Sequence, residues 1–130
     1  MKHLQEMSKA LWEIIGKAEP SVVAVQSGEA RSSGLILDEN RVVTAIGPFR
    51  ERRREDGITV TLADGSERTA TVLGLDRSLD LAILALDKPV AVPPRDVALP
   101  SDLKPGSMVL ALGRYGAGDD AAVEATLGMV

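Results

Sequence analysis

Residues able to do covalent or acid–base chemistry are scarce in this chain. Histidine, the usual general base near neutral pH and a common metal ligand, occurs once in 130 residues, as His3. Cysteine is absent, which excludes disulfides, thiolate nucleophiles and cysteine-ligated metals and leaves the redox compartment open. One histidine cannot build a zinc site, and Asp119-Asp120 with Glu124 lacks the alternating oxygen ligands and central glycine of a calcium loop. No metal is expected. No cofactor is expected either: Gly113, Gly116 and Gly118 match neither phosphate-binding fingerprint in spacing, no helical pattern follows them, and they read as a flexible turn. The remaining carboxylates are scattered, and nothing in their spacing brings two of them together over a cleft.

The bulk properties narrow the partners. With 15 Lys and Arg against 19 Asp and Glu, the net charge is −4 and the chain offers no electrostatic footprint for nucleic acid or an anionic membrane. Aromatic residues are only Trp12, Phe49 and Tyr115, so the core must be aliphatic and base stacking is disfavoured. No run approaches the roughly 18 apolar residues of a membrane-spanning helix, and the N-terminus has no signal-peptide pattern, so the chain as given reads as soluble without membrane insertion. Its length suits one domain with one core.

The elements that must position any site follow from the apolar periods. Leu4, Met7, Leu11, Ile14, Ile15 and Ala18 recur at three- and four-residue intervals, predicting an amphipathic helix over 3–18 that docks on the domain or on a partner. Pro20 cannot continue it. From Ser21 the period becomes two, and strands are expected at 22–26, 34–37, 41–46, 58–62, 67–75, 81–86, 108–112 and 123–130. Asp38-Glu39-Asn40 and Asp64-Gly65 read as hairpin connections, the second as a type I′ turn, and consecutive hairpins point to an antiparallel meander. With one helix available, the strands should close into an all-β, six-stranded barrel with accessory strands. The charged stretch 50–56 reads as a solvated loop, or a docking site for an acidic partner, and the proline-rich stretch 87–106 as a surface connector.

Five segments in order, "PSVVAVQSG", "SSGLILDENRVVTA", "ITVTLADGSERTATVLGLDRSLDLAILAL", "LPSDLKPGSMVLALG" and "VEATLGMV", resemble the first half of an HtrA-type, DegP-like serine protease of the trypsin fold. The resemblance covers about residues 19–130. It implies two six-stranded barrels with an active site between them, of which this chain supplies one: a helix at 1–18, a trypsin-like barrel at 19–121, and at 122–130 a strand beginning the second barrel. An extracytoplasmic or periplasmic parent is implied by the resemblance alone.

The resemblance also places the catalytic residues one by one. Asp80 in "SLDLAIL" stands where the family has its triad aspartate; read without the family, it is an acid capping a turn before a buried strand. In "VVTAIGPF" the family's histidine position falls on Gly47, which cannot accept a proton. The family's serine loop belongs to the second barrel, and no such motif occurs here; Ser32-Ser33-Gly34 resembles a structural approach to an early strand. Thr44 is the candidate hydrogen-bond donor to an Asp80 that has lost its histidine. The leading expectation is a non-catalytic trypsin-like domain with a structural or protein- and peptide-binding role. Alternatives are a fragment of an active endopeptidase whose serine and base lie outside this chain, and a free-standing barrel adaptor. Self-association through the C-terminal strand or N-terminal helix is also expected.

Overall fold

The computed structural model describes residues 1–49 and 57–130, so the charged stretch 50–56 and its possible docking role lie outside the described residues. Helix α1 (Lys2–Ala18) passes through a short 3-10 turn into strand β1 (Val22–Ser27). There follow β2 (Ala30–Asp38), β3 (Arg41–Ala45), β4 (Ile58–Thr61), β5 (Glu67–Asp76), β6 (Leu81–Leu86), β7 (Met108–Tyr115) and β8 (Ala122–Met129). The first six strands close an antiparallel barrel in the order β1-β2-β3-β6-β5-β4, and β7 and β8 form a separate two-stranded sheet.

Alternation builds the barrel. Val42 and Thr44 of β3 and Ala82, Leu84 and Leu86 of β6 point inward and are buried, while Val43 and Ile83 between them are only half-buried. The core they form with Val23, Val25, Ile36, Ile58 and Val60 is aliphatic except for Phe49. β2 crosses this core closely: a Cβ at Gly34 would sit 2.8 Å from Val42 Cγ1 and 3.1 Å from Val23 Cγ2, so glycine is required there.

Several boundaries and one connectivity differ from the sequence reading. The strands are not a meander: β3 pairs with β6, and β1 pairs with β4 to close the barrel. Turn residues report local hairpins only, whereas these two pairings join segments distant in sequence. β2 starts at Ala30, taking Ser32 and Ser33 into the strand, and β7 runs through Tyr115, taking Gly113 into the strand as well. The glycine turn is therefore confined to Gly116 and Gly118, both at positive φ. The barrel is complete at β6, and β7, read from sequence as part of the 19–121 unit, joins β8 instead.

The expected type I′ turn at Asp64-Gly65 is corrected too. Such a turn needs left-handed backbone at both central residues, but Gly65 has φ 86° and Asp64 is not in that region. Gly65 N instead donates to Leu62 O at 3.0 Å, and Asp64 Oδ1 accepts from Ser66 N at 2.9 Å and Ser66 Oγ at 2.6 Å. An aspartate plays the same part in two other turns. Asp38 Oδ2 accepts from Arg41 Nε at 2.7 Å, and Asp76 Oδ1 accepts from Ser78 Oγ at 2.6 Å and Leu79 N at 3.2 Å.

These bonds favour the charged carboxylates. The Arg41 side chain holds the Asp38 carboxyl below its ordinary range, the Ser66 hydroxyl does so for Asp64, and the Ser78 hydroxyl for Asp76. Because folding lowers these values, their contribution is complete above the ordinary aspartate range and is lost as pH falls through the lowered, folded-state values. The urea midpoint should therefore drop on acidification below about pH 4. Asp38→Asn, Asp64→Asn and Asp76→Asn combined should flatten that acid limb.

α1 contains no fully buried residue: Leu11, Ile15 and Ala18 are half-buried, and Trp12 is 70% exposed. Among the described residues no helix is long and apolar enough to cross a membrane. The β7–β8 sheet is fastened to the barrel by Arg114, whose side chain is 1% exposed. Its Nε donates to Val22 O at 2.7 Å and its Nη2 to Glu19 O at 3.1 Å, with Glu19 Oε1 at 3.3 Å. Ser33 Oγ completes the joint, accepting from Arg114 N at 2.9 Å and donating to Arg114 O at 3.2 Å.

Candidate functional site

The end of the barrel where β3 leaves and β6 enters holds the residues singled out above. β3 and β6 pair Ala45 with Leu81, and the ladder extends one step further, Ile46 N donating to Asp80 O at 3.2 Å. Asp80 thus stands across from Ile46, the residue before Gly47, where β3 leaves and β6 enters the barrel. Asp80 is exposed and has φ 56°, the one positive value among described non-glycine residues. Such backbone is uncommon for a residue with a Cβ and is found most readily in Asp and Asn. The carboxylate that caps the turn entering β6 belongs to Asp76, four residues earlier.

Gly47 opens a 3-10 turn, Gly47–Phe49, whose Pro48 and Phe49 are buried. The glycine itself is exposed, its φ lies outside the left-handed region, and among the described residues a Cβ built on it meets nothing within 4 Å. The backbone at this position would accept a side chain without strain. Beside it lies a cavity of about 310 Å³ lined by Ile46, Phe49, Leu75 and Arg77. A β-bulge in β5 between Val72 and Gly74 shifts the register, so that Leu75 pairs with the inward Ala82 and turns toward this cavity.

Thr44 does not serve Asp80 in the way the sequence suggested. It faces into the barrel opposite Gly34, and its hydroxyl donates to Ser33 O at 2.7 Å and lies 3.0 Å from Ser32 Oγ. A threonine hydroxyl has one proton, and this one is taken by β2. Ser32 and Ser33 are likewise engaged in holding strands together. His3 is fully exposed on the first turn of α1, its Nδ1 3.9 Å from Glu6 Oε2. Among the described residues no three His, Asp or Glu side chains cluster as a metal would need.

Arg114 and Glu19 were missed by sequence reasoning. An arginine closing an apolar run, after Gly113, was a visible signal, because a buried cation must find acceptors, but which acceptors could not be read.

A closed six-stranded barrel joined to the start of a second sheet, with Asp80 entering β6 across from the end of β3, is the layout of a chymotrypsin-like protease half. Residues 32–130 match the trypsin-like peptidase domain, and the chain belongs to that family. Within it the chain is an HtrA-like protease domain. It is 30% identical over 112 residues to serine protease PepD of Mycobacterium tuberculosis, covering 78% of this chain and 24% of the relative. It is 31% identical over 111 residues to serine protease HTRA4 of Homo sapiens, covering 77% and 23%. The chain thus spans about a quarter of the length of these relatives. Among solved structures it is similar to the inactive form of the Rv3671c protease of M. tuberculosis, with a TM-score of 0.68 and 30% identity over 88% of this chain and 53% of the other. The fold is also that of Deg5, with a TM-score of 0.79 and 22% identity over 96% of this chain and 64% of the other.

Proposed function

We propose that this chain is a non-catalytic HtrA-like barrel, the N-terminal half of a pseudoprotease, with a structural or protein- and peptide-binding role. Gly47 carries the reading. The family's general base belongs at this position, and glycine has no group to take a proton from a nucleophile. The one histidine of the chain is on a solvent-exposed helical turn. Asp80 is then a relict: its role in a working triad is to orient an imidazole, and this chain has none there.

The test is an active-site serine probe, a fluorophosphonate, applied to this chain and to its full-length gene product together with a casein digest. No labelling and no hydrolysis are expected. Labelling of the longer product at a downstream serine would establish instead the second reading, a fragment of an active endopeptidase. That reading is favoured by the chain's spanning only 53% of the Rv3671c protease.

The binding role needs surfaces, and two are open. Among the described residues β8 pairs with β7 alone, leaving its outer edge unpaired, with Leu127 48% and Met129 70% exposed. α1 presents Leu4, Met7, Trp12 and Ile14 to solvent. Unpaired strand edges recruit other strands, so copies of the chain should associate through β8 or α1. Sedimentation should show a mass that rises with concentration; a monomer at high concentration would count against association.

A further inference from the structure

We propose that α1 pairs with α1 of a second copy of this chain, antiparallel about the middle of the helix, with Glu6 of each copy facing Lys17 of the other. The pairing rests on the self-association inferred above and not on the loss of the base.

The helix has a free apolar stripe. Its half-buried positions Ser8, Leu11, Ile15 and Ala18 recur at three- and four-residue intervals and so share one face. Met7 and Ile14 stand in the neighbouring stripe, with Ala10 between them and Leu4 at its start, and all four are exposed. A helix of 17 residues is marginal in water by propensity alone and is held mainly by burying such a face. No residue of α1 is buried within this chain, so the stripe around Met7 and Ile14 is still to be covered.

The charges point to what covers it. Along the helix and just past its end they alternate in sign: Lys2, Glu6, Lys9, Glu13, Lys17 and Glu19. At 3.6 residues per turn, Glu6 and Lys17 border the exposed stripe on the side away from Leu11. A two-fold antiparallel pair sets each border against the same border of the other copy and makes every contact twice. Running the second helix backwards about Ala10 and Leu11 puts Met7 against Ile14, Leu4 against Ala18 and Glu6 against Lys17. A parallel pair would set this border against the opposite one, where Ser8 and Ile15 carry no charge. Antiparallel helices also lay the positive end of one dipole beside the negative end of the other. A uniformly acidic or basic partner would meet repulsion at every second charge, whereas the same helix reversed answers each sign. The barrel follows the C-terminal end of α1, so the two barrels come to lie at opposite ends of the pair. A helix roughly 25 Å long and about 10 Å wide covers much less than the ~800 Å² per partner of a standard interface, so this dimer is weak and concentration-dependent.

The experiment uses the absence of cysteine from the chain. Ala10→Cys, beside the two-fold axis, should give a disulfide-linked dimer on mild oxidation, because bridged Cα atoms must lie within about 7 Å. Leu4→Cys, whose two copies stand at opposite ends, should remain unlinked. In sedimentation equilibrium Glu6→Lys and Lys17→Glu should each weaken association about tenfold, two equivalent pairs turning from attraction to repulsion. The two substitutions together should restore most of it. Circular dichroism shows that α1 still forms in each variant. The proposal is overturned by a monomer at high concentration, by Leu4→Cys linking as readily as Ala10→Cys, or by Glu6→Lys associating as tightly as the parent chain, the result expected of pairing through β8. Serine labelling of the full-length product would remove the non-catalytic reading and leave this dimer standing. Unlabelled product with Ala10→Cys unlinked would do the reverse.

Discussion

Arg114→Met is expected to destabilise the chain by about 3 kcal/mol and to release the β7–β8 sheet from the barrel. Methionine keeps most of the apolar stem, so the loss isolates the guanidinium. Without it, Val22 O, which accepts at 2.7 Å in a buried setting, loses this donor, while Glu19 O keeps the Val22 N–H of the 3-10 turn. Losing a buried hydrogen bond to a charged donor costs about 1–3 kcal/mol, and the bond to Val22 O is the buried one here. The Glu19 carboxylate adds little to this sum, because at 38% exposed it can return to water. Urea unfolding gives the magnitude, and hydrogen exchange gives the place: protection should fall in β7 and β8 while β1 to β6 keep theirs. Uniform loss across the barrel would mean that Arg114 supports the core rather than the joint.

Leu84→Ala should cost a similar amount, about 3 kcal/mol, with the opposite exchange pattern. Leu84 is 0% exposed and stands opposite Val42 on one side and Val72 on the other, at the middle of the barrel interior. Its neighbours are mostly β-branched and held on closed strands, so they cannot collapse into the space left behind. The cavity term therefore adds in full to the lost transfer free energy. All six barrel strands should lose protection together, because a closed sheet opens as one unit. A cost below about 1 kcal/mol would mean that the barrel relaxes around the vacancy.

The barrel was legible because its strands alternate cleanly: the spans around Val42–Thr44 and Ala82–Leu86 follow from period two alone. The helix was legible from the spacing of Leu4, Met7, Leu11 and Ile14. Strand order was not, since the β1–β4 closure depends on which distant edges meet, and no local residue encodes it. The backbone of Asp64 was misread because Asp-Gly serves several turn types, and the side-chain bonds to Ser66 decided between them. Asp80 and Gly47 were picked out by resemblance, and the structure puts both at the barrel end where β3 leaves and β6 enters, Asp80 across from Ile46. Thr44 shows the limit of such picking: it occupies the expected strand, but its proton belongs to Ser33. Arg114 stood out as a charge at the end of an apolar run, but its acceptors at Val22 and Glu19 are distant in sequence and show only in the fold.

The open space at Gly47 bears on how this chain could have diverged. Glycine costs roughly 0.5–1 kcal/mol relative to alanine through the extra freedom of the unfolded chain, and nothing in the backbone at this position asks for it. Folding therefore exerts no purifying pressure on residue 47, and substitutions there are free to drift. A lineage could regain a side chain here in a single step without any compensating change among the described residues of the barrel.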